Sequence, residues 1–258
     1  MALVTILSDF GDNDFYLPAV KASMLAVNPQ LNIIDISSRI QAFDLAPAAF
    51  LLRSVFREFP KGTVHLVAMQ TTKGLSDGFI GIKLEEHIFI GPNNGILSLL
   101  ADQEPGIMVR FADQHIRESS FPEKEILAPI AAKVASGASI HDFGGPLDHL
   151  KKLISRQTKV TREEILGHVL HVDGYGNLIT NIRQSDFEKL NPGSYTIGFN
   201  REKLNRLNKR YDEVEPGDCF VIFNSLGLLE IGINQGNGSG LLGLKHDSAV
   251  YVTFHSNN

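Results

Sequence analysis

The sequence predicts an α/β domain followed by a smaller all-β domain, and three observations carry that reading. Short apolar, β-branched runs alternate with segments of helical spacing through residues 1–155. Over 165–258 the helical spacing gives way to strand-like runs separated by turns rich in Gly and Pro. The chain has 258 residues, 43% of them hydrophobic, which suffices for one large domain or two ordinary ones with a real core. The β-α-β rhythm of the first part argues for a parallel, doubly wound sheet. The second part argues for a small barrel or sandwich.

The elements follow in order. Residues 3–7 form a mostly apolar run, as expected of a strand covered on both faces. Residues 15–27 have helical spacing, tolerate Pro18 in the first turn and stop at Asn28 and Pro29. Residues 31–36 are again β-branched and apolar. A helix is predicted over 44–59, with Asp44 as N-cap and Pro60-Lys61-Gly62 as the stop. Residues 63–69 read as a strand, and 79–84 and 87–90 as a hairpin around Glu85 and Glu86. A turn at 91–95 precedes a helix beginning over 96–101, and 125–136 have small and apolar residues at helical spacing, closed by Gly137. The polar stretch 151–164 is the natural linker. Beyond it, runs at 165–172, 178–182, 194–199, 219–224, 228–233 and 249–254 read as strands, and only 184–190 as a helix. Turns fall at 191–193, 215–217 and 236–240.

Bulk properties exclude several partners. The formal net charge is −5 and no basic block stands out, so neither nucleic acid nor an anionic membrane is expected to bind. No apolar run approaches the ~20 residues that span a bilayer. The first seven residues lack a basic start and run directly into Ser8 and Asp9, the mark of a first strand and not of a signal peptide. The single cysteine, Cys219, cannot form an internal disulfide, fits a reducing cytoplasm and reads as a buried structural residue.

Chemistry concentrates in two places. After the apolar run 165–172 come Asp173, Gly174, Tyr175, Gly176 and Asn177, then a second apolar run. A carboxylate, an aromatic face and a carboxamide on one turn suit a compact polar ligand with a flat ring, such as an amino acid or a nucleoside. Asp and Asn also close turns on their own backbone, so both readings stand. The first strand ends in Ser8-Asp9-Phe10-Gly11-Asp12-Asn13-Asp14, and ligands gather at the carboxyl ends of parallel strands. Asp9, Asp12 and Asp14 suit ligand hydroxyls better than a metal, because the calcium-loop spacing is missing. Helix capping is the alternative use of these carboxylates. No dinucleotide or triphosphate loop pattern occurs.

The segments SDFGDNDFYLPAVKASM, NPQLNIIDIS, AAFLLRSVFREFPKGTVHLV, FIGPNNGILS, GGPLDHL, VDGYGNLITNI and NSLGLLEIGIN lie in the order of one family. The chain resembles the S-adenosylmethionine (SAM) hydroxide adenosyltransferases, a family that includes the SAM-dependent fluorinases and chlorinases. The resemblance implies a Rossmann-like α/β N-terminal domain over 1–155 and a β-barrel C-terminal domain over 165–258. It implies a homotrimer holding SAM between one subunit's N-terminal domain and its neighbour's C-terminal domain. It further implies substitution at C5′ of the ribose by water or halide, expelling methionine, with no cofactor or metal beyond SAM itself. By motif, Asp9 would hold the ribose hydroxyls, and Phe43 would pack near the ribose or adenine. Phe121 joins the substrate-binding set. Asp173 would meet the methionine amine, Tyr175 would stack on adenine, Asn177 would bond the adenine edge, and Ser225 would contact the methionine carboxylate.

The chain departs from the hydrolase branch at the residues that organise the attacking water. Gln70 stands at that branch's aspartate, Asp77 at its arginine and Pro122 at its histidine. Gln70 can orient a water but cannot take its proton. Lys73 lies where the halogenase branch holds its halide, and an ammonium there would attract an anion, although loop lysines are usually solvated. Gln70 and Lys73 are therefore the catalytic candidates. Glu123 and Glu125 offer a replacement carboxylate, although solvated loop charges are the commoner fate. His65 reads as a satisfied core histidine, and His168 and His171 as residues on opposite strand faces that do not chelate. Two functions follow: an enzyme acting on SAM, with water or another nucleophile, or a catalytically inactive protein that binds or senses adenosine or SAM.

Overall fold

The computed structural model describes residues 2–71, 77–101, 103–112, 119–190 and 193–255. The chain divides into two compact units, Met1–Ile154 and Ser155–Asn258.

The first unit is a seven-stranded sheet in the order β2-β1-β3-β5-β4-β6-β7. Its strands are β1 (Leu3–Ser8), β2 (Asn32–Ser37), β3 (Val64–Ala68), β4 (Phe79–Leu84), β5 (His87–Pro92), β6 (Ile107–Phe111) and β7 (Gly144–Pro146). Only half of this sheet is parallel. β1 runs parallel to β2 and β3, and β3 to β5, whereas β4 is antiparallel to β5 and β6, and β6 to β7. This corrects the expectation of a parallel, doubly wound sheet: the sheet is mixed and carries few helices. The physical reason is the turn of Glu85 and Glu86, both at positive φ, which joins β4 to β5 directly. A parallel pairing needs a crossover of roughly a dozen residues or more.

Helices α1 (Tyr16–Val27), α2 (Leu45–Val55) and α3 (Ala128–Ala135) cover this sheet. Alternation along the strands sets two cores. Val4, Ile6, Val64 and Leu66 pack with Val20 and Met24 of α1 and with Ala128, Ala131 and Ala132 of α3. Leu7, Val67 and Phe89 pack with Ala48, Ala49 and Leu52 of α2. β1 is thus covered on both faces, as its unbroken apolar run requires. The helix read over 44–59 ends earlier, at Val55, and continues as a tighter turn, Phe56–Glu58. Asp44 occupies the N-cap position but makes no side-chain cap bond. The helix expected from 96 is only the short 3₁₀ turn Ile96–Leu99.

His65 lies fully buried on β3, as expected of a satisfied core histidine. Its Nδ1 meets Thr5 Oγ1 at 2.7 Å and its Nε2 meets His87 Nδ1 at 3.1 Å. Desolvation, then the neighbouring His87, push its pKa down to about 3.

The second unit is a barrel-like sheet, wholly antiparallel, with the path β12-β11-β15-β9-β10-β14-β13. Its strands are β8 (Lys159–Val160), β9 (Glu164–Val172), β10 (Leu178–Arg183), β11 (Ser194–Phe199), β12 (Glu202–Leu204), β13 (Cys219–Phe223), β14 (Leu228–Ile233) and β15 (Ala249–His255). The short β8 pairs with β9, so part of the stretch read as linker is sheet. Ile165, Val169, Leu178, Ile197, Val221, Ile231, Val250 and Val252 fill the interior, and α4 (Gln184–Lys189) adds Phe187. The turn read at 236–240 contains a short helix, α5 (Gly238–Leu242), whose Gly240 N–H is capped by Asn237 Oδ1 at 2.8 Å. Cys219 is half-buried at the start of β13, and burial pushes its thiol up to about 12. No helix among the described residues is long and apolar enough to cross a membrane.

Candidate functional site

In the first unit the candidate residues gather where β1 and β3 end. These strands are adjacent and parallel, with Ser8 opposite Ala68, so Asp9 and the segment Met69-Gln70-Thr71 leave the sheet side by side. Asp9 Oδ2 accepts the Phe43 N–H at 3.3 Å, and Gln70 Nε2 donates to the Phe43 carbonyl. Phe43 and Gln70 both have positive φ, 69° and 48°. Such a conformation costs a non-glycine residue roughly 1–2 kcal/mol, so the surrounding bonds are what hold it. The Phe43 ring is 70% exposed. Buried Asn94 fixes the approach to Gln70 by donating from Nδ2 to the Met69 carbonyl at 2.8 Å.

The other two aspartates part company with Asp9. Asp12 accepts from Ser38 Oγ and pairs with Arg39, and these partners hold its carboxyl below the usual carboxylate range. Asp14 is exposed. The N-cap residue of α1 is Phe15, which makes no side-chain cap bond, so none of these aspartates occupies the cap position. Phe121 is half-buried and meets the rings of Tyr16 and Phe10 edge-on, with centroids 5.3 and 6.0 Å apart. Asp77 pairs with Lys151 at 2.6 Å. Lys73 lies outside the described residues. Among the described residues no group of three or more His, Cys, Asp and Glu is arranged to hold a metal.

Glu123 corrects a second expectation. It is not a solvated loop charge: only 7% of it is exposed. Its Oε1 accepts from the hydroxyl of Thr71, which is itself buried. Burial is the main cause that raises its pKa, and the charge of Asp9 adds to it. Glu123 opens the π-type turn Glu123–Leu127, in which the Ala128 N–H reaches back to the Glu123 carbonyl. Such turns are frequent at functional sites. Glu125 is exposed and is held by Ser119 Oγ at 2.5 Å.

In the second unit the turn between β9 and β10 is built around Asp173. Its Oδ1 accepts the N–H groups of Tyr175 and Asn177 at 2.9 and 2.8 Å, and its Oδ2 accepts Asn177 Nδ2 at 3.1 Å. The turn-closing use of Asp173 is therefore real. It leaves the Tyr175 ring 82% exposed, while Asn177 is buried. Gly176 takes φ +88°, which spares the turn a strained side chain. Gly232 on β14 allows a close approach, since a Cβ there would lie 2.3 Å from Asn177 Oδ1.

Ser225 is exposed on the tight turn between β13 and β14. Asn224 shapes that turn by accepting the Leu226 and Leu228 N–H groups at 3.0 and 3.2 Å. Glu230 links the two turns. It accepts Asn224 Nδ2 at 2.8 Å, and its pKa is raised by burial and then by the Asp173 charge. Tyr211 hydrogen-bonds Glu230, and its hydroxyl pKa is also pushed up, chiefly by burial. Glu230 was not singled out from the sequence. The available signal was a lone charge inside the otherwise apolar run Leu228-Leu229-Glu230-Ile231-Gly232-Ile233. Thr71 and Asn94 carry no comparable signal, because their importance lies in partners distant in sequence.

Comparison with known proteins bears on both units. The family profile described as SAM hydroxide adenosyltransferase N-terminal domain matches residues 4–144. The corresponding C-terminal domain profile matches residues 167–251. An (R)-S-adenosyl-L-methionine hydrolase of Methanocaldococcus jannaschii is 26% identical over 98% of this chain and 96% of its own. The enzyme of that name from Thermus thermophilus is 27% identical over 97% of this chain and 99% of its own. A fluorinase of Actinoplanes sp. is 23% identical over 97% of each chain. Among solved structures, a conserved protein from Thermotoga maritima superposes with a TM-score of 0.89 at 28% identity, covering 97% of this chain and 99% of its own. A conserved hypothetical protein from Thermus thermophilus superposes with a TM-score of 0.77 at 27% identity, covering 98% and 100%. With both profiles matched in order along the chain, this protein belongs to the SAM hydroxide adenosyltransferase family.

Proposed function

We propose that this protein catalyses nucleophilic substitution at C5′ of SAM, with water as the nucleophile and adenosine and methionine as products. The observation that carries the proposal is the chain of hydrogen bonds Asp9–Phe43–Gln70 at the carboxyl ends of β1 and β3, within the half that matches the family's N-terminal domain. Relatives named (R)-S-adenosyl-L-methionine hydrolase support the reaction class.

In this reading Asp9 accepts the ribose hydroxyls, since a carboxylate offers roughly four acceptor sites and the Phe43 amide fills one of them. Phe43 and Phe121 pack against the ribose and purine. Tyr175 supplies a stacking face, Asn177 reads the adenine edge, Asp173 meets the methionine ammonium and Ser225 the methionine carboxylate. Gln70, tied through Nε2 to the Phe43 carbonyl, keeps its amide oxygen for the attacking water. Lys73 is the candidate for drawing an anion to the site. The sulfonium leaving group departs as a neutral thioether, so no cofactor beyond SAM is required. The N-terminal domain, proposed over 1–155, is read as Rossmann-like, the C-terminal domain as 165–258, and the protein as a cytoplasmic homotrimer.

Incubation of the purified protein with SAM, followed by chromatography, is expected to release adenosine and methionine in equal amounts. Absence of both products after prolonged incubation at high enzyme concentration would sink the proposal. A second reading, with halide as nucleophile, is supported by the relative named fluorinase. It predicts a 5′-halo-5′-deoxyadenosine product when fluoride or chloride is added.

A further inference from the structure

We propose that Glu123 is the base that takes the proton from the attacking water. The inference rests on the hydrolytic reading above and supplies the group that reading lacks, since neither Gln70 nor Pro122 can accept a proton at neutral pH.

Four observations converge on this carboxylate. It is buried, where a carboxylate is costly unless it is hydrogen-bonded. It is fixed in place by the Thr71 hydroxyl, in the residue next to Gln70. It stands close enough to Asp9, at the end of β1, for the two charges to act on one another. It opens a π-type turn, a departure from regular helix that is frequent at functional sites. Ser8, the last residue of β1, adds a fifth, because its hydroxyl, in the residue before Asp9, is buried without a hydrogen-bond partner among the described residues.

The chemistry balances. A lone pair on the water oxygen forms the bond to C5′ as the C5′–sulfur bond breaks, and that bond's electron pair stays on sulfur, neutralising the sulfonium. The water proton passes to a Glu123 carboxylate oxygen and is later released to solvent. Burial suits the task, since a base poised nearer neutrality than an ordinary glutamate is more basic at working pH. Asp9 is the charged group that acts on Glu123 from the sheet. On α1, packed against this turn, Lys21 is engaged with Asp35 at 2.5 Å. On the turn itself Lys124 and Glu125 are exposed.

The test compares wild type with Glu123→Gln, an amide that preserves shape and still accepts from Thr71. Adenosine affinity is measured by calorimetry, and adenosine release from SAM is measured across pH. The wild type is expected to show kcat rising with pH through an inflection above the ordinary glutamate range. Glu123→Gln is expected to bind adenosine within about twofold, to lose roughly 10²- to 10⁴-fold in kcat and to lose that rising limb. Glu123→Asp, which keeps a carboxylate one methylene short, is expected to recover part of the rate and the limb. It decides the matter if the amide variant folds poorly. Wild-type kcat and pH profile in Glu123→Gln would overturn the role of Glu123 and leave the C5′ chemistry standing. Aspartate and glutamine variants equally slow, each with the limb intact, would overturn it in favour of a structural role. A wild type that binds adenosine but releases none from SAM would remove the underlying reading, and the base with it.

Discussion

Asp173 shows how one side chain sets the shape of a turn. By accepting three N–H groups it fixes the turn that presents Tyr175 to solvent while Asn177 stays buried. The two neighbours therefore separate in their mutational consequences. Tyr175→Ala removes an exposed ring, so the melting temperature is expected to hold while adenosine affinity in calorimetry weakens by about 0.5–1.5 kcal/mol. Gly232→Ala places a methyl 2.3 Å from both Asn177 Oδ1 and the Phe220 ring. It is expected to cost about 1–3 kcal/mol in urea denaturation and to weaken adenosine binding through the displaced Asn177. Glu230 yields a pH prediction. Its folded pKa lies above the unfolded one, so its contribution is full at low pH and is lost as pH rises through the folded value. Glu230→Gln is thus expected to gain thermal stability relative to wild type as pH rises from about 4 to neutrality, and a constant difference across that range would count against the burial account. At this scale the Asp173 turn was legible because its parts are contiguous. The burial of Glu123 was not legible, because its hydrogen-bond partner Thr71 lies 52 positions away, beyond any local reading.

Strands β1 and β3 end at the candidate residues, and aromatic packing braces β3 and β5 beneath them. Phe56 is fully buried and stands edge-on to His65, His87 and Phe89, with centroids 6.2, 5.4 and 5.2 Å away. Truncation by Phe56→Ala is expected to cost about 3–5 kcal/mol in denaturant melts. His65 ties β1 to β3 and to His87 at the start of β5. Its folded pKa of about 3 lies below the ordinary 6.5, so the neutral ring stabilises the fold fully above that ordinary value and less as pH falls toward the folded one. On the order of 3 kcal/mol is expected to be lost by about pH 4. A His65→Gln variant is expected to show a flatter acid limb in melts taken across that range. Elements with strong apolar periodicity, such as β1, α1 and β9 to β11, were legible from sequence. β7 was not, because Gly144-Gly145-Pro146 carries no side-chain pattern. Strand direction was half legible: the Glu85-Glu86 turn announced a hairpin, but its effect on the whole sheet depended on β6 joining the far side of β4.

The whole molecule is two units, each with its own apolar interior. An excised fragment 155–258 is expected to melt cooperatively with the circular dichroism of a β protein, because its barrel-like sheet closes its core within that range. Loss of all structure on excision would show that the barrel depends on the rest of the chain. The all-β character of this half was legible because its runs alternate with Gly and Pro turns, whereas the mixed character of the other half depended on pairings between distant strands. The lone sulfhydryl has a practical consequence for spectroscopy. With its proton held to about 12, only roughly one Cys219 in 10⁵ is thiolate at neutral pH. A maleimide dye is therefore expected to label the native chain slowly, and a cysteine introduced at exposed Ser225 is expected to label first, which fluorescence after brief exposure to the dye checks.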